Sequence, residues 1–270
     1  MNMKKMISVL SLMLGLFASV GIVSCGGDSD GGGETPYIPK DGERIFDHEN
    51  SDYAGTYVFY NGGKELKLTA IGQYYSLIPQ NVEFKGKKYP VTCIGKEACA
   101  HSSSLGEIII PSGVTIIEDG AFKFCKSYSL SMPNSLKTIG ESAFSNIEWL
   151  DEISIPDGIT TIEALTFSGC KNLGKVSIPN SVKEIKEYAF EYCGFSSFII
   201  PGGVGNIEQG VLWHCDNLKS VTSNIQEPFA ISSVFDINFI NSGTLYVPKG
   251  TVEKYKATDG WKEIKNIVEQ

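Results

Sequence analysis

The residues best equipped for chemistry in this 270-residue chain are seven cysteines and three histidines. Cysteine thiolates act as nucleophiles, zinc ligands or disulfide partners, and a neutral imidazole serves as base or metal ligand. Four of the cysteines, Cys125, Cys170, Cys193 and Cys215, share one slot of a repeating pattern, which Ser102 and Ile147 fill elsewhere. A slot that accepts isoleucine is a packing slot, so these thiols are expected to be buried and free. Neighbouring copies would bring Cys170 near Cys193, and Cys193 near Cys215, at a Cα spacing that a disulfide tolerates. Their side chains would point the same way, however, so a bridge would need distortion. No C-x-x-C pair occurs, and no zinc site is expected. His48, His101 and His214 lie far apart at no metal-ligand spacing. His214 adjoins Cys215, but neighbours in sequence seldom face each other. G-x-S-x-G, P-loop and complete G-x-G-x-x-G motifs are absent, and Gly203-Val204-Gly205 reads as the turn after Pro201. No pair of carboxylates is positioned by any readable pattern. This gives no catalytic residue, no metal site and no cofactor. Only a deep pocket of converging polar side chains would revive an enzyme.

The pattern that carries the cysteines is clearest from Val176 to Cys193, VSIPNSVKEIKEYAFEYC. Its slots are an apolar-x-apolar-Pro run, then Val at Pro+3, Ile at Pro+6, Ala-Phe at Pro+10 and Pro+11, and Cys at Pro+14. The prolines are Pro111, Pro133, Pro156, Pro179 and Pro201, at steps of 22, 23, 23 and 22. Pro+6 gives Ile117, Ile139, Ile162, Ile185 and Ile207, and Pro+11 gives Phe122, Phe144, Phe167, Phe190 and Leu212. Such a unit cannot close a core alone, and stacked units bury one continuous core. Val176 and Ile178 alternate with Ser177, the period-2 sign of a short strand with one buried face. Repeated in every coil, these strands must lie parallel, about 4.8 Å apart. Proline ends each strand and turn-forming dipeptides follow it. A second strand is expected in Val182–Ile185 and a single helical turn at Tyr188–Cys193. The fold class is a β-rich repeat solenoid: a right-handed coil of short parallel strands and short helical turns.

The composite pattern IxIPxxVxxIxxxAFxxCxxL resembles the BspA-like leucine-rich repeat family. TLYVPKGTVEKYKATDGWKEIKNIVE near the end, and VEFKGKKYPVTCIGKEA upstream, resemble that family's flanking segments. The resemblance runs from about Leu77 to Gln270. It implies a bacterial surface or secreted protein, some members being adhesins, and it implies no catalytic residues.

Residues 1–24 hold Lys4, Lys5 and an 18-residue apolar run, and read as a signal peptide. Ile22-Val23-Ser24-Cys25 resembles the lipobox of bacterial lipoproteins, in which the cysteine receives a lipid; a permanent anchor helix or an ordinary secretory signal are the alternatives. Residues 25–40 read as a flexible tether with a reach of roughly 20 Å. Its acidic residues resemble an export signal to the outer face of the outer membrane. Residues 41–93 are expected to form an N-terminal cap, with β-hairpins turning at Asn61-Gly62-Gly63 and Lys85-Gly86-Lys87. Coils of 22–23 residues occupy 94–223, and a degenerate repeat with a C-terminal cap occupies 224–270.

The formal charge is −8, and loss of the two signal lysines makes it −10. That argues against nucleic acid and against an anionic lipid surface, leaving a lipid anchor as the only expected contact with membrane. Function is therefore sought on the outward strand positions, Ile109, Ser131, Ser154, Ser177, Ile199 and Thr222. Beside them stand Glu107, Asp151, Glu152, Lys175 and Lys219, acidic toward the first coils and basic toward the last. The reading is a non-catalytic, monomeric surface lipoprotein that binds a protein or glycan ligand for adhesion. The alternative is a glycan-capture or scaffold component of a nutrient-uptake system, for which Tyr128, Trp149 and Trp213 are the aromatic platforms to examine.

Overall fold

A computed structural model of the chain describes residues 37–47, 55–71, 77–103 and 106–270. The five repeat prolines each begin a turn: the N–H groups of Val114, Leu136, Ile159, Val182 and Val204 donate to the proline carbonyl three residues back at 3.0–3.2 Å. Proline suits that position because its fixed φ favours the turn and its missing N–H ends the strand before it.

At the N-terminal end stand β1 (Arg44–Asp47), β2 (Gly55–Tyr60), β3 (Glu65–Ile71), β4 (Asn81–Phe84) and β5 (Lys87–Ile94). Five coils follow, each with a strand before its proline and a shorter one after it. These are β6 (Glu107–Ile109) and β7 (Ile116–Ile117), β8 (Ser129–Ser131) and β9 (Thr138–Ile139), β10 (Glu152–Ser154) and β11 (Thr161–Ile162). Then come β12 (Lys175–Ser177) and β13 (Glu184–Ile185), and β14 (Ser197–Ile200) and β15 (Asn206–Ile207). The end is built from β16 (Ser220–Ser223), α1 (Ile237–Ser242), β17 (Thr244–Val247), α2 (Val252–Ala257) and β18 (Asn266–Glu269). The chain is a parallel β-solenoid with little helix.

Both hairpins form as expected, β2 with β3 and β4 with β5, antiparallel. Strand β1 adds to β2, which the sequence pattern did not show. β3 then pairs parallel with β5, and β5 with β7, so the hairpins close one strand column rather than standing apart from the coils. Tyr37, placed in the tether by sequence, lies 6.0 Å edge-on to Phe84 with the Lys85 ammonium 3.5 Å over its ring.

The post-proline strands form one column, β5-β7-β9 and then β11-β13-β15. The pre-proline strands form the other, hydrogen-bonded as β6-β8, β10-β12 and β14-β16-β17-β18. The third arm is not a helical turn. Alternate residues bond forward to the next coil, as Tyr188 N–H to Gln209, Phe190 to Val211 and Tyr192 to Trp213 at 2.9–3.2 Å. The residues between close i to i+3 turns, as Ala189 to Lys186 and Glu191 to Tyr188. This geometry needs left-handed backbone twice per coil, at Ser142 and Asn146, Tyr188 and Tyr192, with φ between 55° and 58°. A non-glycine residue there costs about 1–2 kcal/mol, and the inter-coil hydrogen bonds offset it. At Gly210, φ is +68° and a Cβ would meet the Tyr188 ring at 2.3 Å, so a side chain there would force that ring to move.

Inside, Phe122, Phe144, Phe167 and Phe190 stack at 5.4, 5.6 and 5.5 Å with planes within 7°. All four are fully buried. The slot cysteines are free, and each donates its S–H to a carbonyl of an earlier coil: Cys125 to Cys99, Cys170 to Phe144, Cys193 to Phe167 and Cys215 to Phe190. Burial pushes Cys125, Cys170 and Cys215 up to about 12, where a thiolate nucleophile is not available at neutral pH.

Candidate binding face

Strand alternation places the outward column. Ile108, Ile153 and Phe198 point into the core, which leaves Ile109, Ser131, Ser154, Ser177 and Ile199 exposed. Neighbouring members sit opposite one another: Ile109 with Ser131, Ser154 with Ser177, Ile199 with Thr222. Thr222 departs from expectation and is half-buried. Its next partner is Tyr246, whose bulk shields it and which carries the column on to Val268. Tyr246 sits two residues before Pro248, the same slot, so its place is legible in the sequence.

The column is small in the middle and apolar at its ends, with Ile109 42%, Ile199 54% and Tyr246 38% exposed. Tyr128, immediately before β8, is half exposed, and its ring lies 3.2 Å from where a Cβ on Gly106 would stand. Trp149 is equally exposed, three residues before β10. The strands begin one residue earlier than Val176–Ile178 implied, so Glu107, Glu152 and Lys175 are their first residues. Asp151 and Lys219 are exposed just ahead of β10 and β16. The acidic and basic halves of the face meet where the Lys175 ammonium reaches Glu152 at 3.5 Å. Both side chains are well exposed, so this pair contributes little to stability.

Sequence reasoning missed the third arm. On it, His101 stacks on Phe124 at 4.9 Å and Tyr192 on His214 at 4.4 Å, on the solvent side. Each pair fills the outer left-handed slot of two successive coils, the spacing that would have revealed them. His214 thus faces Tyr192, while Cys215 turns inward. Among the described residues no three His, Cys, Asp or Glu side chains gather as a metal site, and no helix is long and apolar enough to cross a membrane. Cys25 and His48 lie outside the described residues.

A family profile described as BspA type leucine-rich repeat region matches residues 92–241 in six copies. Several solved structures align with the chain at low identity. A leucine-rich cell surface protein from Faecalibacterium prausnitzii aligns over 87% of this chain and 73% of its own, with 19% identity and TM-score 0.50. A leucine-rich repeat protein from Bacteroides ovatus aligns over 87% and 79%, with 18% identity and TM-score 0.39. The leucine-rich repeat protein of T. pallidum aligns over 71% and 83%, with 19% identity and TM-score 0.44. No curated protein matches the sequence.

Proposed function

This chain belongs to the BspA-type leucine-rich repeat family, and from that premise we propose that it is a cell-surface lipoprotein whose pre-proline strand column binds a protein ligand. Lipid on Cys25 would hold it at the outer membrane, facing outward, with the stretch up to about Pro36 as tether. The observation that carries the reading is the outward column itself: unbroken by bulky charge over several coils, with exposed Ile109, Ile199 and Tyr246 at its ends. Exposed apolar side chains gathered on one face mark interaction surfaces, and a solenoid lets many weak contacts add along its length. A repeat surface of this kind suits binding. Exposed Tyr128 and Trp149 beside the column favour the second reading, glycan capture, because sugar rings stack on such platforms.

The test is an array of matrix proteins and glycans probed with residues 26–270, which keep Tyr37 on its hairpin. A protein hit that competes with substitutions on the column supports the first reading. Glycan hits abolished by Tyr128→Ala or Trp149→Ala support the second. Hits insensitive to both sets overturn the choice of face.

A further inference from the structure

The repeat ends at Asp236, and the way it ends opens a cavity. In the third arm Phe124, Asn146, Gly169 and Tyr192 donate their N–H to a carbonyl of the next coil, at 2.8–2.9 Å. His214 is the next in that series, and its N–H is taken by the Asp236 carboxylate. Asp236 then begins α1, so the chain leaves the coil path. Between this departure and the terminal cap lies a cavity of about 430 Å³, lined by Trp213, Asp236, Ile237, Asp259, Lys262 and Glu263 among others.

The lining has a definite character. Trp213 is half-buried, held edge-on by Tyr188 at 5.8 Å and by His214 at 6.3 Å. Ile237 is 64% exposed at the rim. Three carboxylates face one lysine, a formal charge of −2, and that lysine is held by Asp259 at 2.6 Å. Glu263 forms no ion pair among the described residues, though its charge is felt by Lys262. An indole wall beside unneutralised carboxylates suits a cation, which gains from the ring face and from the acids together.

We propose that this cavity receives a basic side chain, lysine or arginine, from an exposed peptide segment of a protein partner. The charged head faces Asp236 and Glu263, and its methylenes lie along Trp213 and Ile237. The site is separate from the strand column and does not depend on it.

The test titrates the full chain into fluorescently labelled acetyl-pentalysine, with acetyl-pentaglutamate and chitotetraose as comparison probes. Saturable pentalysine binding is expected, weakening as salt rises and falling tenfold or more in Trp213→Ala. Glu263→Lys should also fall about tenfold. Glu141→Lys, which makes the same charge change on an exposed residue of a distant coil, should change affinity less than twofold. Unfolding curves check each variant, and if Trp213→Ala fails to fold, the two lysine variants decide. Equal losses in Glu141→Lys and Glu263→Lys would show mere attraction to an acidic chain and overturn the site. No pentalysine binding, or chitotetraose bound in its place, overturns it too.

Discussion

Phe167 is the residue on which the stack depends most. It is fully buried, with Phe144 5.6 Å away on one side and Phe190 5.5 Å away on the other. Truncating a buried phenylalanine costs about 3–5 kcal/mol, and the value rises when neighbours cannot close the cavity. Here they cannot. The coils above and below are fixed by Phe167 N–H to Ala189 at 2.9 Å and Phe144 N–H to Thr166 at 3.0 Å. Phe167→Ala is therefore expected to cost about 4–5 kcal/mol, the upper half of that range. Phe122 supplies an internal comparison, because among the described residues Phe144 is its only stacked phenylalanine and Cys99 fills the same slot in the coil before it. One stacked pair is worth about 0.5–1.5 kcal/mol beyond its area, so Phe122→Ala should cost roughly 1 kcal/mol less. Urea unfolding followed by far-ultraviolet circular dichroism measures both. A Phe167→Ala loss below about 1 kcal/mol, far under the usual range, would refute the reasoning, as would a larger loss at Phe122. A lowered denaturant slope would mean that the coils on either side unfold separately, the behaviour of a weakened one-dimensional array.

Ser154→Arg with Ser177→Arg should leave folding intact and sharply reduce binding of any array ligand; arginines at exposed Thr138 on the other column and at exposed Thr160, just ahead of β11, should not. If the second pair abolishes binding and the first does not, the ligand uses the post-proline side. Cys25→Ser should stop incorporation of labelled fatty acid and release the protein from membranes, and a mutant that still labels would end the lipoprotein reading. A thiol-reactive disulfide reagent at neutral pH should modify none of the six buried cysteines until urea is added; modification of the native coils would show that they open readily. Desolvation pushes Cys170 from 9.0 up to about 12, so the protonated thiol is the form that the fold stabilises. Stability from this source is complete below the ordinary thiol value and should fall as pH rises from about 9 toward 12, where the unfolded chain has released the proton and the folded one has not. A flat unfolding profile across that window would contradict it.

The repeat determined most of this molecule by itself. Prolines at 22–23 residues fix the turns, because proline both favours that conformation and cannot extend a ladder. Ile at Pro+6 and Phe at Pro+11 must stack when copies stack, since equal slots in equal coils fall above one another. The two hairpins were equally plain from alternation across glycine turns. Tertiary structure decided the rest. β1 has no strong pattern and gains its place only by pairing with β2. Thr222 sits in an outward slot and is still half-covered, because Tyr246 lies beside it. The third arm bonds forward in left-handed backbone, a conformation that neither Tyr188 nor Tyr192 favours alone and that the next coil's carbonyls impose. Where those carbonyls run out, the Asp236 carboxylate takes the last N–H and the cavity beside Trp213 begins. A periodic sequence specifies what every coil shares, and its surfaces are set where one coil differs from the next, because exposure and hydrogen-bond supply belong to pairs of coils and not to either one.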